Sequence, residues 1–247
     1  KTSKDDLKAF TIGSDSKVHD ESEDAKTYAS LIGVDILLEK MVASSAKKIL
    51  KDCMLNLQEP FADYSIIPTY ELTKNASKSF TVMLSGDGGD ELFHGYGFYN
   101  WANRLSNPLV KAGKSIIGKA LSLGDNRMKR ASNLFSYPKQ QLKSHIFSQE
   151  QYYFTQKEID DLLVKNTGYP SFIDKEKDLI RSLSPKEKQS LFDINYYLRD
   201  DLLTKVDIAS MRYSLETRVP ILDHRIVEFA LNLDEGLKIK NGDQKYL

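Results

Sequence analysis

Along the first third of the chain the apolar positions keep two different periods in turn. Leu7–Ile12 is a short apolar run closed by Gly13, the pattern of a strand. From Ser22 to Ile32 the apolar residues Ala25, Tyr28, Leu31 and Ile32 fall at helical spacing. Gly33 follows, where a helix favours a left-handed terminal residue. Val34–Leu38 predicts a second strand, and Val42–Leu57 sets Ile49, Leu50, Cys53, Met54 and Leu57 on one helical face. Pro68–Ser77 predicts a further helix, and Phe80–Leu84 a strand of the buried, uniformly apolar type. Strands alternating with helices predict an α/β fold, a parallel sheet with helices on both faces.

The rest of the chain reads differently. Between Arg104 and Lys143 lie nine basic residues and one acid, Asp125, in a pattern of helices and loops. A solvated helical insertion explains that charge. The sharper alternative is a docking face for an acidic partner or RNA, which the lack of interleaved aromatics disfavours. From Ser184 to Leu247 the pattern is helical throughout, opened by Ser184-Pro185-Lys186-Glu187, an N-cap followed by proline at the first helical position. The expected organisation is therefore an α/β part over 1–104, a helical basic insertion over 105–185 and a helical part over 186–247.

Composition narrows the class. A chain of 247 residues with 40% hydrophobic and 28% charged residues is long enough to bury a core without disulfides. The net charge of +0 argues against a globally basic nucleic-acid binder. No apolar stretch is long enough to span a membrane. A single cysteine, Cys53, excludes an internal disulfide and favours a reducing, cytoplasmic setting. The start Lys1-Thr2-Ser3-Lys4 has no apolar signal-peptide core, and the lack of an initiator Met reads as an excised piece.

Three motif-like runs carry little weight. Gly113-Lys-Ser-Ile-Ile-Gly-Lys-Ala120 matches a phosphate-loop core, but Ala120 stands where a hydroxyl should hold Mg²⁺, and no strand precedes it. The four histidines show no metal-ligand spacing. Asn75-Ala76-Ser77 is a chance-level glycosylation sequon.

The informative run is Phe80-Thr-Val-Met-Leu-Ser-Gly-Asp-Gly-Gly-Asp-Glu91, a strand that enters a glycine-rich acidic turn before a helix. Ligands of open parallel sheets bind beyond the carboxyl ends of strands. Gly86, Gly88 and Gly89 permit tight turns and close backbone approach. Asp90 can cap the helix and Glu91 favours its positive end. Capping does not explain Asp87 as well. Three carboxylates within five residues call for a cation or a basic group among them, so Asp87, Asp90 and Glu91 could together hold Mg²⁺ bound to a polyphosphate. The second run spans Asp200–His224. There Asp201 and Lys205 stand at i,i+4, and Asp207, Glu216, Arg218 and Asp223 alternate with Leu203, Met211, Leu215, Val219 and Leu222. A partly buried salt-bridge network and a substrate-facing wall both fit.

Leu84-Ser-Gly-Asp-Gly-Gly-Asp-Glu-Leu-Phe-His-Gly-Tyr96 resembles L-S-G-[DE]-G-x-D-E-x-F-x-G-Y of the synthetase domain of glutamine-hydrolysing asparagine synthetases. Asp200–Asp223 resembles that family's D-D-x-L-x-K-x-D-x-x-S-M signature, Glu59–Asp63 its E-P-F-x-D segment, and Phe10–Gly13 its second strand. The resemblance implies an adenine-nucleotide alpha-hydrolase-like fold of the PP-loop ATPase type. It implies a ligase using ATP and Mg²⁺ that adenylates the aspartate side chain and transfers glutamine-derived ammonia, releasing AMP and pyrophosphate. By the same resemblance Asp87, Asp201, Lys205 and Glu216 are catalytic or line the acyl site. Ile12, Ser85 and Gly86 bind nucleotide, and Asp90 and Glu91 lie at the metal. The family's pyrophosphate loop, a downstream lysine and the glutaminase domain fall outside the chain, so the chain alone is expected to be inactive and its parent a possible homodimer. The alternatives are an amidotransferase acting on another carboxylate in polysaccharide or peptide biosynthesis, and a non-catalytic binding module.

Overall fold

The computed structural model describes residues 7–14, 20–135, 161–164 and 181–247. Lys139 and Lys143 of the basic stretch lie outside the described residues. The chain divides into two compact units, one of Lys1–Gly86 with Asp201–Pro220 and one of Asp87–Asp200 with Ile221–Leu247. These units cut across the three stretches read from the sequence.

In the first unit the predicted elements form where the periodicity puts them. Strands β1 (Lys8–Gly13) and β2 (Asp35–Lys40) pair in parallel, Lys8 opposite Asp35 through Gly13 opposite Lys40. They are joined by helix α1 (Ser22–Ile32), which stops at Gly33 with φ 70°, a conformation glycine adopts without a Cβ penalty. Helices α2 (Ala43–Asn56) and α3 (Ile66–Ala76) follow. Ile49 and Cys53 of α2 pack with Ile66 and Tyr70 of α3 and with Ala209 from the far end of the chain. Strand β3 (Val82–Leu84) pairs in parallel with β4 (Glu216–Arg218), so a strand lies within the last third of the chain, which the pattern reads as wholly helical. Three residues are too short for a period-two signal, and β4 exists because β3 offers it an edge. Among the described residues the strands make two-stranded pairs, β1–β2 and β3–β4, and not one wide sheet. Leu37, Leu38, Val82 and Leu84 are exposed, so uniform apolarity did not here mean cover on both faces. The sequon asparagine Asn75 is buried and donates its side-chain amide to Glu39, a structural use that removes it from solvent.

Among its described residues the second unit is mostly helical. It holds α4 (Gly89–Phe93), α5 (Tyr99–Ser106), α6 (Pro108–Ala112), α7 (Lys114–Ser122) and α8 (Asn126–Ser132). Leu105, Leu134 and Phe135 form one core, against which Trp101, Val110, Ile117 and Leu121 pack. The phosphate-loop-like run is the junction of α6 and α7, with Gly113 as the cap between two helices and no strand before it. The predicted start at Ser184 is a complete capping box. Ser184 Oγ accepts from Glu187 N at 3.2 Å, and Ser184 N donates to Glu187 at 2.7 Å. The helix Pro185–Asp193 then widens into π-helical turns over Ile194–Leu203, and Thr204–Met211 resumes α-helical winding within the first unit. A two-residue antiparallel hairpin, β5 (Ile239–Lys240) with β6 (Asp243–Gln244), also departs from the helical expectation.

Candidate functional site

Strand β3 delivers the chain into the acidic turn. Ser85 N donates to Arg218 O at 2.9 Å, extending the β3–β4 ladder by one bond. Gly86 is exposed, and a Cβ added there would meet nothing within 4 Å. The backbone at Gly86 is thus open to close approach, the property a nucleotide-binding turn requires. On the same unit Ile12, in β1, lies opposite Glu39 of β2.

Asp87 begins the second unit, and there glycine is needed for a stricter reason. Gly88 has φ 91°, and a Cβ would fall 2.4 Å from Leu222 Cδ2. Gly88 also occupies the N-cap position of α4, so the cap expected of Asp90 is not made. Asp90 instead pairs with Lys245, Oδ1 to Nζ 2.7 Å. The basic group that three neighbouring carboxylates call for is therefore present, supplied from far along the chain. Gly95 is what lets it in, since a Cβ there would lie 2.0 Å from Asp90 Oδ1 and 2.2 Å from Lys245 Cε.

Glu91 departs most from a ligand's usual setting. It is 0% exposed and accepts a hydrogen bond from Tyr96 Oη at 2.7 Å. Burial raises its pKa, against the lowering effect of that bond. Its backbone carbonyl takes the Ser190 hydroxyl at 2.6 Å. Glu91 thus anchors α4 to the Pro185–Asp193 helix, a structural role the sequence did not reveal. Behind it sit His94, which is 0% exposed with φ 54°, and Tyr99, edge-on to the His94 ring at 5.3 Å. Burial lowers the His94 pKa to about 4, with the nearby Lys238 adding to the effect.

In the first unit Lys205 does not pair with Asp201. Its Nζ lies 2.9 Å from Asp63 Oδ2 and 2.7 Å from Ser65 Oγ. Two causes combine. Asp201 falls in the π-helical turns, where residues four apart lose the alignment they have on an α-helix. Asp63 is also already fixed, accepting from Ser65 N at 2.8 Å and Ser65 Oγ at 2.7 Å. Asp201 remains beside this group with its Oδ1 buried and unbonded, its pKa pushed up to about 6, first by burial and then by the charge of Asp63. Asp63 lies in the E-P-F-x-D segment and could have been found there. Ser65 gave no sequence signal. Glu216 contributes to neither group. It is exposed and paired with Arg218 at 2.8 Å, and Asp223 pairs likewise with Arg225. These are local surface pairs and not the buried network that was one expectation for this segment.

As to metal, the donors Asp87 and Asp90 are carboxylate oxygens, which suit Mg²⁺ together with phosphate oxygens, and Asp90 already attracts a cation. Among the described residues no three His, Cys, Asp or Glu side chains are grouped to hold a metal by themselves. No helix among them is long and apolar enough to cross a membrane.

Comparison with known proteins agrees with these motifs. The chain is 29% identical over 267 residues to asparagine synthetase [glutamine-hydrolyzing] 1 of Bacillus subtilis, covering 98% of this chain and 39% of that protein. It is 30% identical over 174 residues to asparagine synthetase [glutamine-hydrolyzing] 3 of the same organism, covering 70% of this chain and 24% of that protein. It is 25% identical over 263 residues to the amidase chyE of Penicillium rubens, covering 95% and 38%. The chain thus spans well under half the length of these relatives. The family model described as asparagine synthase matches residues 1–247, and the chain belongs to the asparagine synthase family.

Proposed function

We propose that this chain is the synthetase part of an ATP-dependent ligase that converts a carboxylate into an amide, with the aspartate side chain as acceptor and asparagine, AMP and pyrophosphate as products. The observation that carries this reading is the turn after β3, an open backbone at Gly86 followed at once by Asp87 and Asp90. In this reading Ser85, Gly86 and the Ile12 backbone hold the nucleotide, and Asp87 and Asp90 hold Mg²⁺ bound to its phosphates. Mg²⁺ supplies neutralisation of phosphate charge when bound. Glu91, buried and hydrogen-bonded, shapes the turn from behind. Lys205 and Asp201 line the acyl side, and Glu216 lies at its exposed margin. Nitrogen comes as ammonia from a glutaminase part, as the names of the relatives imply for those proteins.

The likeness to an amidase supports a second reading, in which the acceptor is another carboxylate. ATP–pyrophosphate exchange in the protein that carries this chain separates the two. Exchange that depends on free aspartate is the expected result. Exchange with other carboxylates and not with aspartate would replace the first reading by the second, and exchange with none would end both. Asp87→Asn and Asp90→Asn are expected to weaken exchange strongly.

A further inference from the structure

Helices α6 and α7 of the second unit carry two faces. The inner one puts Val110, Ile117 and Leu121 on the core of Leu105, Leu134 and Phe135. The outer one reads Leu109, Ala112, Ile116, Ala120 and Leu123, at steps of three, four, four and three residues, and all five are exposed. The large side chains Leu109, Ile116 and Leu123 are 80%, 78% and 87% exposed. That spacing keeps them on one side of a helix. The winding carries through the break at Gly113, whose N–H donates to Leu109 O at 2.9 Å and whose carbonyl accepts from Ile117 N at 3.0 Å. Scattered exposed leucines need no explanation. A stripe in which large and small residues alternate is different, because Ala112 and Ala120 leave sockets between the large side chains for those of a facing helix.

Charge restricts what can lie there. Residues 104–135 hold seven basic residues and one acid, in a chain whose net charge is +0. The acid, Asp125, has its side chain engaged in capping α8, where it accepts from Met128 N at 2.8 Å. Lys119 stands beside Ala120 on the exposed side of α7, and Arg104 of α5 and Lys129 of α8 are exposed as well. A second copy of the stripe would set like charges against each other, which disfavours self-association. A lipid surface would take up the large side chains but would leave the two alanine sockets without a use. We propose that the outer face of α6 and α7 docks an acidic amphipathic helix of a separate polypeptide. The large apolar residues of that helix seat over Ala112 and Ala120, and its carboxylates face Lys119 and the neighbouring bases. The inference stands independently of the amidation reading.

The test uses the protein that carries this chain and a synthetic helix of about three heptads, with leucine along its seam and glutamate beside it. Fluorescence anisotropy of the labelled peptide should show saturable binding that weakens as salt is raised. A peptide with the same seam flanked by lysine should not bind. Ile116→Asp should weaken binding about tenfold or more, and Ala120→Phe, which fills a socket, should do likewise. Both positions are exposed, so the Tm should stay unchanged and show that the fold is kept. Lys119→Glu should slow association and flatten its salt dependence more than it speeds dissociation. An Ile116→Cys thiol should react readily with a maleimide and be protected by the peptide. No binding of the glutamate peptide, equal binding of the lysine peptide, or undiminished affinity in Ile116→Asp would each overturn the proposal. So would an Ile116→Cys thiol that is unreactive without peptide, since another part of the same protein would then cover the face. Retention on anionic phospholipid vesicles that Ile116→Asp abolishes, without peptide binding, would overturn it in favour of a lipid surface.

Discussion

Ionisable groups are buried in this chain by two opposite means, and one cluster in each unit illustrates them. In the first, Lys205 and Asp63 form an ion pair, with Ser65 completing the bonding. In the second, Glu91 and His94 are wholly buried with no ion pair among the described residues, and burial pushes each toward its neutral form. A paired site holds charge where chemistry can use it. A neutralised site gives packing and hydrogen-bond direction, here the anchoring of α4 behind the acidic turn.

The comparison is broken most directly at Lys205. Lys205→Met leaves Asp63 and Asp201 side by side with no counter-charge, and breaking a buried pair from one side costs about 3–5 kcal/mol. Urea denaturation should show that loss, and a loss under about 1 kcal/mol would mean the pair is solvated. His94 tests the other unit. With its folded pKa near 4 against 6.5 unfolded, it stabilises the fold fully above pH 6.5 and loses that contribution as pH falls toward 4, about 3 kcal/mol at the limit. Asp201 acts in the opposite sense. Its folded pKa of about 6 lies above the ordinary aspartate value of 3.8, so its contribution is largest at acid pH and is lost as pH rises through 6. The two slopes offset each other if the units unfold together. His94→Gln should therefore raise stability at pH 4.5 relative to pH 7, and Asp201→Asn should do the reverse.

Smaller effects sharpen the contrast. Gly88→Ala puts a Cβ at positive φ and against Leu222, and a strain of about 1–3 kcal/mol should appear as a lowered Tm. Glu216→Gln breaks only an exposed pair and should leave Tm unchanged. A clear drop would show that β4 depends on that pair.

Much was legible in the chain itself. The helix from Ser22 to Ile32 ended at Gly33, and the capping box at Ser184 formed, because caps and periodicity depend on residues a few positions apart. The turn at Gly88 was legible for a related reason, since only glycine relaxes at its φ. The π-helical turns over Ile194–Leu203 left no such signal, and so an i,i+4 pair was expected where none forms.

By itself, then, the sequence determined the strand–helix alternation of the first third, the helix ends, the acidic glycine turn and the family to which the chain belongs. Tertiary structure decided the partners. Lys205 meets Asp63 across 142 positions, Lys245 meets Asp90, β4 finds β3, and Glu91 turns inward to Tyr96. The physical reason is range. Backbone geometry fixes a period within one or two turns, but which carboxylate a lysine neutralises depends on which distant segments the core brings together.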